Sequence, residues 1–233
     1  YIDAVHYGPH GLIDVAALDC DFLACSTYKF FGPHMGVLFG KREHLTRLRP
    51  YKVRPNTNAI PNRWEWGTLN HEGIAGIAAC VEYFADLGRR TLESWGNGPG
   101  RPSSAARLIT RRAAIEAAHQ TIHEHEWALL EKLIAGLLAI PHLKIYGITD
   151  PARFHERCAT LAVRIDGHTP LELATQLGER GFFTWDGNYY ALNLTEHLDV
   201  EKSGGFLRIG LVHYNTLDEV DRLLAALREI AGV

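Results

Sequence analysis

Short apolar runs broken by glycine, proline and polar residues open the chain, and longer runs with helical spacing fill its middle and end. Residues 1–5 (YIDAV) and 21–26 (DFLACS) read as strands, with a loop over 8–11 and a short helical turn, DVAALD, between them. GVLFG, 36–40, reads as a third strand. Strand, turn, strand, loop, strand at this spacing predicts the edge region of an α/β sheet. Residues 50–66 are polar, carry Pro and Asn, and predict an extended loop. Apolar positions then recur every three or four residues over 73–87 (Ile74, Ile77, Ala78, Val81, Phe84, Ala85), which predicts a helix.

WGNGPGRPSS, 95–104, concentrates Gly, Pro and Ser and predicts a hinge or linker. Beyond it, 105–140 reads as a long helical region that Pro141 ends. KIYG, TLAVRI, GFFTW and FLRIGLVHY predict strands, with a helix over 170–180 between the second and third. Thr216 and Glu219 form a capping box that opens a last helix, whose buried face is marked by Val220, Leu223, Leu224, Leu227 and Ile230. The expected division is therefore a first domain over 1–95, a linker over 96–104 and a small α/β domain over 105–233. No internal repeat is visible.

Composition narrows the function. With 233 residues, 46% of them hydrophobic, the chain can bury a substantial core. A formal net charge of −3 and the lack of a Lys/Arg-rich block argue against nucleic acid or an acidic membrane surface as the main partner. No apolar stretch reaches the roughly 20 residues that span a bilayer. The cysteines Cys20, Cys25, Cys80 and Cys158 lack CxxC spacing and fit reduced thiols in a cytoplasmic protein. The chain opens on what reads as a strand already in progress, without an initiator Met, and is expected to be the C-terminal portion of a longer protein.

Within CSTYKFFGPHMG, 25–36, Lys29 sits in an apolar, aromatic setting followed by Gly-Pro and a second glycine. Burying an unpaired ammonium is costly. Lys29 is then either a lysine snorkelling from a strand end or a desolvated amine suited to a Schiff base with a carbonyl cofactor. Asp3 lies at the C-terminal end of the first strand, the edge where open α/β sheets collect ligands. Ser26 and Tyr28 flank the lysine with hydroxyls. Gly67-Thr68 and Asn70 precede a helix, and Arg208 stands in a strand of otherwise apolar residues. His119, His123 and His125 share a helical segment, but H-x3-H is a weak metal signal, and no metal site is expected. Phe182, Phe183, Trp185, Tyr189 and Tyr190 surround the polar turn 186–188, which could form a loop over a substrate with Asn188 in contact.

Taken in order, D-A-V-H at 3–6, I-D-V-x-x-L-D-C-D-F at 13–22, S-T-Y-K-F-F-G-P-H-M-G at 26–36, G-T-L-N at 67–70 and R-I-G-L-V-H-Y-N-T at 208–216 resemble the class V aminotransferase superfamily. These are fold-type-I pyridoxal-phosphate (PLP) enzymes, and the resemblance is to their cysteine-desulfurase-like branch. It implies the C-terminal part of the PLP-dependent transferase fold, α/β in class: a partial large-domain sheet plus the small C-terminal domain. It implies Lys29 as the Schiff-base lysine and acid–base group, with Asp3 on the pyridine nitrogen and His6 beside the ring's 3′-oxygen. Ser26 and Tyr28 would bind the phosphate, Thr68 would reach it from a second copy in a homodimer, and Arg208 would take the α-carboxylate of an amino-acid substrate. Two departures stand out. Desulfurases commonly carry His where Tyr28 stands, and their nucleophilic cysteine has no counterpart in 184–194, where Tyr190 occupies or neighbours its place. The implied activity is aminotransferase, C–S lyase, desulfurase-like or epimerase, with this fragment alone expected to be inactive. The alternatives are a catalytically silent relative kept for assembly, and a true desulfurase that uses another thiol.

Overall fold

β1 (Ile2–Asp3) runs parallel to β2 (Phe22–Ser26), with Asp3 opposite Ala24. β2 pairs antiparallel with β3 (Gly36–Gly40), giving the order β1-β2-β3. This is a computed structural model, and it describes residues 1–65, 67–96 and 109–233. β1 stops earlier than the sequence pattern suggests. The Asp3 carboxylate accepts the Val5 N–H at 2.9 Å, a side-chain turn that ends the strand. Between β1 and β2, the four-residue helix α1 (Val15–Leu18) is capped by Asp14, whose carboxylate accepts from the Ala16 and Ala17 amides. The Ala17 amide above all, with Arg112 at 2.9 Å and the Ala16 amide, holds the Asp14 carboxyl below its usual range.

After α2 (Arg42–Arg47) and the loop that follows it, the chain enters α3 (His71–Gly96), longer at both ends than expected. Asn70 starts it by accepting the Gly73 N–H at 2.8 Å. α3 packs on the beginning of α4 (Arg111–Leu138) without room to spare. A Cβ on Gly88 would stand 1.7 Å from the Ala114 carbonyl oxygen, so only glycine lets the backbones meet there. Around this contact Phe84, Ala85, Ala114 and Ala118 are buried. The linker expected over 96–104 lies, from 97 on, outside the described residues.

The chain divides into two units, Tyr1–Thr121 and Ile122–Val233, and the division falls inside α4. In the second unit β4 (Leu143–Tyr146), β5 (Thr160–Ile165), β6 (Trp185–Gly187) and β7 (Phe206–Gly210) form an antiparallel sheet of order β4-β5-β7-β6. β5 alternates partly exposed and buried residues, and its buried set (Leu161, Val163, Ile165) joins Leu207 and Ile209 in the core. α5 (Pro170–Glu179), α7 (Leu217–Ala231) and Leu129, Leu130, Leu133 and Leu137 of α4 supply most of the rest of that core. Both α5 and α7 open on complete capping boxes, Thr169/Glu172 and Thr216/Glu219, the second as the sequence pattern predicts.

Two expected strands differ: the one read over 181–185 is displaced to β6, and the last is shorter. Residues 181–182 finish α5: Gly181 takes φ 85°, and the Phe182 N–H closes on the Leu177 carbonyl at 2.9 Å. The last strand ends at Gly210 because Asn215 turns the chain, its side chain accepting the Val212 N–H at 2.9 Å. Among the described residues no helix is long and apolar enough to cross a membrane.

Candidate active site

Ser26 ends β2 and begins a 3₁₀ turn, Thr27–Phe30, that carries Tyr28 and Lys29. The turn is held from inside by Thr27, which is fully buried. Its hydroxyl donates between the Pro33 and Met35 carbonyls (2.6 and 3.0 Å), and its amide donates to Met35 O at 2.9 Å. Phe31 closes the turn in the left-handed region, at φ 71°. From α3, the Cys80 thiol donates to the Phe30 carbonyl at 2.8 Å. Lys29 is thereby fixed at the root and half-buried, its ammonium 6.0 Å from the centre of the Tyr28 ring. Tyr28 is exposed and its ring contacts that of His34 at 4.6 Å. The Ser26 side chain makes no bond to the turn it caps.

Because β1 and β2 are parallel and adjacent, Asp3 and the Ser26–Lys29 turn share the C-terminal edge of one sheet. Asp3 also borders a largely apolar cleft of about 450 Å³ formed by β1 and α1; Lys29 does not line it. His6, half-buried in the turn after β1, lies with its ring 5.2 Å from that of His10. Thr68 is exposed, in the loop between Gly67 (φ 66°) and Asn70.

The second unit holds Arg208 and Asn188. Arg208 lies on β7 opposite Ala162 on one side and Trp185 on the other, half-buried. Its guanidinium carbon is 5.7 Å from the centre of the Tyr189 ring. The Tyr189 hydroxyl donates to the Phe206 carbonyl and lies 3.3 Å from that of Trp185. Burial pushes this phenol far above its usual range, so it stays protonated. Asn188 is engaged within the unit. Its amide donates to Glu201 at 3.1 Å, its side-chain oxygen accepts the Tyr190 N–H at 3.1 Å, and Glu201 also accepts the hydroxyl of buried Thr195.

Sequence reading missed Thr27, Cys80 and Glu201, which hold these segments in place. Thr and Glu in loops read as surface residues, and Cys80 reads as helix core, so only the fold reveals their bonds. The three histidines singled out on α4 go different ways. His119 stacks on Phe84 at 5.1 Å, His123 packs on Trp127 at 4.4 Å, and His125 bonds the Asn215 carbonyl at 2.8 Å. All four cysteines are free; Cys20 and Cys80 are buried and Cys25 and Cys158 half-buried. Burial pushes the thiols of Cys25, Cys80 and Cys158 above their ordinary range.

The family model described as aminotransferase class-V matches residues 1–97 and 104–223. A cysteine desulfurase of Pectobacterium carotovorum is 28% identical over 242 residues, covering 98% of this chain and 50% of that protein. An aminotransferase-like protein of Gibberella zeae is 26% identical over 232 residues, with the same coverage. Among solved structures, a cysteine desulfurase from Thermococcus onnurineus aligns with a TM-score of 0.76 at 21% identity, over 99% of this chain and 52% of that one. The chain thus spans about half the length of the curated relatives it matches and corresponds to the C-terminal part of their fold. It belongs to the class V aminotransferase family, on the cysteine-desulfurase-like branch.

Proposed function

We propose that the protein carrying this chain is a PLP-dependent enzyme acting on the α-amino group of a small amino acid. The reading is carried by one observation. A carboxylate (Asp3), two hydroxyls (Ser26, Tyr28) and an amine (Lys29) gather on one sheet edge through the parallel register of β1 and β2. That donor set suits PLP: an amine for its carbonyl, a carboxylate for its ring nitrogen, hydroxyls for its phosphate. When bound, PLP supplies an electron-withdrawing ring that acidifies the bonds at the substrate's Cα.

Lys29 would hold PLP through its carbonyl carbon and would move the Cα proton, a role that a half-buried amine on a locked turn can fill. Asp3 already uses one carboxylate oxygen on Val5. The other would hold the PLP ring nitrogen and keep it protonated. Ser26 and Tyr28 would donate to the phosphate, and His6 would stand beside the ring oxygen. Thr68, exposed on its loop, reaches the phosphate of a second copy in a homodimer. In the second unit Arg208 takes the substrate carboxylate with its planar fork.

Transamination, C–S elimination and epimerisation are all open to this residue set. A desulfurase-like second reading draws on the cysteine desulfurases among the relatives. It needs a thiol acceptor other than the four recessed cysteines of this chain. Borohydride reduction of the PLP-loaded protein, followed by peptide mapping, tests the core of the proposal: the label belongs on Lys29, and a label on another lysine ends it. Keto-acid, sulfide and D-amino-acid products from a panel of amino acids then separate the chemistries.

A further inference from the structure

The loop joining β6 to α6 (Leu192–His197) holds two consecutive non-glycine residues in the left-handed region, Tyr189 (φ 52°) and Tyr190 (φ 65°), directly after Gly187 (φ 109°) and Asn188. Bulky residues rarely adopt this conformation, and it persists only where surrounding bonds over-determine it. Here they do. Glu201 holds the Asn188 amide, Asn188 accepts the Tyr190 N–H, and the Ala191 N–H donates to the Asn188 carbonyl at 2.7 Å. The result turns the two tyrosines opposite ways. Tyr190 is fully solvent-exposed, whereas Tyr189 folds inward so that its ring lies against Arg208 and its hydroxyl is tied to the backbone of β7 and β6.

We infer that Tyr189 is a positioning residue for Arg208: its ring braces the guanidinium, and its anchored hydroxyl fixes the ring against the strand that carries the arginine. Asn188 and Glu201 act one step further out, by holding the loop. The inference rests on the reading of Arg208 as the carboxylate clamp and adds what sets its aim. A guanidinium on a long flexible side chain loses rotamer freedom when it grips a carboxylate, and a flat aromatic surface removes much of that freedom beforehand. A neutral phenol suits this role because it adds no charge to compete with the incoming anion.

The test compares L-cysteine with cysteamine, which differs only by the missing carboxylate, in spectral titrations of the PLP-loaded protein. The dissociation constant of cysteamine divided by that of L-cysteine reads the carboxylate grip. Tyr189→Leu removes the ring and should lower that ratio about 5- to 20-fold, the span of a partly desolvated cation–π contact. Tyr189→Phe keeps the ring at the same backbone conformation and should lower it only about 2- to 3-fold, the scale of one weak neutral hydrogen bond. The Arg208 Nε–H resonance should also move when the ring is lost and stay close to wild type in Tyr189→Phe, which a purely structural role for the tyrosine would not produce. Arg208→Lys is the control and should lower the ratio at least as far as Tyr189→Leu. A lowered ratio in Arg208→Lys with a wild-type ratio in Tyr189→Leu overturns the inference and leaves the clamp standing. An unchanged ratio in Arg208→Lys overturns the clamp itself. If Tyr189→Leu does not fold, Tyr189→Phe decides: a ratio and an Arg208 resonance both identical to wild type overturn the hydroxyl anchor.

Discussion

Asp3 serves the structure and, in the function proposed above, the chemistry as well. One carboxylate oxygen ends β1 by accepting the Val5 amide, and this fixes where the second oxygen points. Asp3→Ala should therefore loosen the strand end slightly and, in the PLP-loaded protein, slow Cα-proton exchange by about 10²-fold, the scale of one lost preorganised electrostatic contact. Asp3→Asn separates the effects, since it can still accept from Val5 but cannot hold the ring nitrogen protonated. Deuterium wash-in at Cα, followed by mass spectrometry, measures the rate, and wild-type exchange in Asp3→Asn would remove Asp3 from the cofactor. At this scale the residues with a chemical type suited to catalysis (Lys29, Asp3, Arg208) were visible in the sequence. Their holders were not. Thr27 and Glu201 are ordinary polar residues whose partners lie 6 to 13 positions away and become neighbours only through folding.

Elements that local physics dictates were legible: β3, β5, α5 and α7 fall where period and capping place them. Those that depend on a local exception were not, as β6 shows, because Gly181 diverts the preceding residues into a helix terminus. The α7 capping box yields a direct expectation. Thr216→Ala should cost the second unit about 1 kcal/mol in denaturant unfolding. Glu219 accepts the Thr216 N–H, which holds its carboxyl below the ordinary Glu range in the folded state. Its contribution is present above the unfolded value and lost as pH falls through the folded one. The gap between Glu219→Gln and wild type should therefore narrow in acid, and a gap independent of pH would detach Glu219 from the cap. The α3–α4 contact has a steeper dependence. Gly88→Ala drives a methyl into the Ala114 carbonyl and should destabilise the first unit by about 2–3 kcal/mol, near the upper end for overpacking. A melting temperature equal to wild type would mean the helices separate freely there.

The four cysteines bear on the reaction of the molecule as a whole. None is exposed, and burial pushes Cys25, Cys80 and Cys158 toward the thiol form. A thiolate is what attacks, so all four should react with an aromatic disulfide reagent far more slowly in the native protein than after unfolding. Incubation with L-cysteine should leave no persulfide on any of them, as judged by mass spectrometry. A persulfide on Cys158 or Cys25 would restore desulfuration through the chain's own thiol. The family match extends over nearly the whole chain, yet the chain matches only half of its relatives' length. The order of motifs was readable from sequence, because each motif is local. The contact of Arg208 with the Tyr189 ring was not, because it depends on a loop whose backbone angles no sequence pattern announces.

The lock inside the Lys29 turn has an evolutionary consequence. Thr27 is sealed beneath the turn and ties its two ends together, while Tyr28 stands outside and contributes nothing to that tie. Position 28 is thus insulated: selection can exchange its side chain without displacing the lysine next to it, whereas a change at 27 would move every atom of the turn. Such an arrangement lets a lineage exchange the exposed side chain while the Lys29 amine stays where it was. The tyrosine found here in place of the histidine common among desulfurases is then the kind of divergence this architecture tolerates most easily.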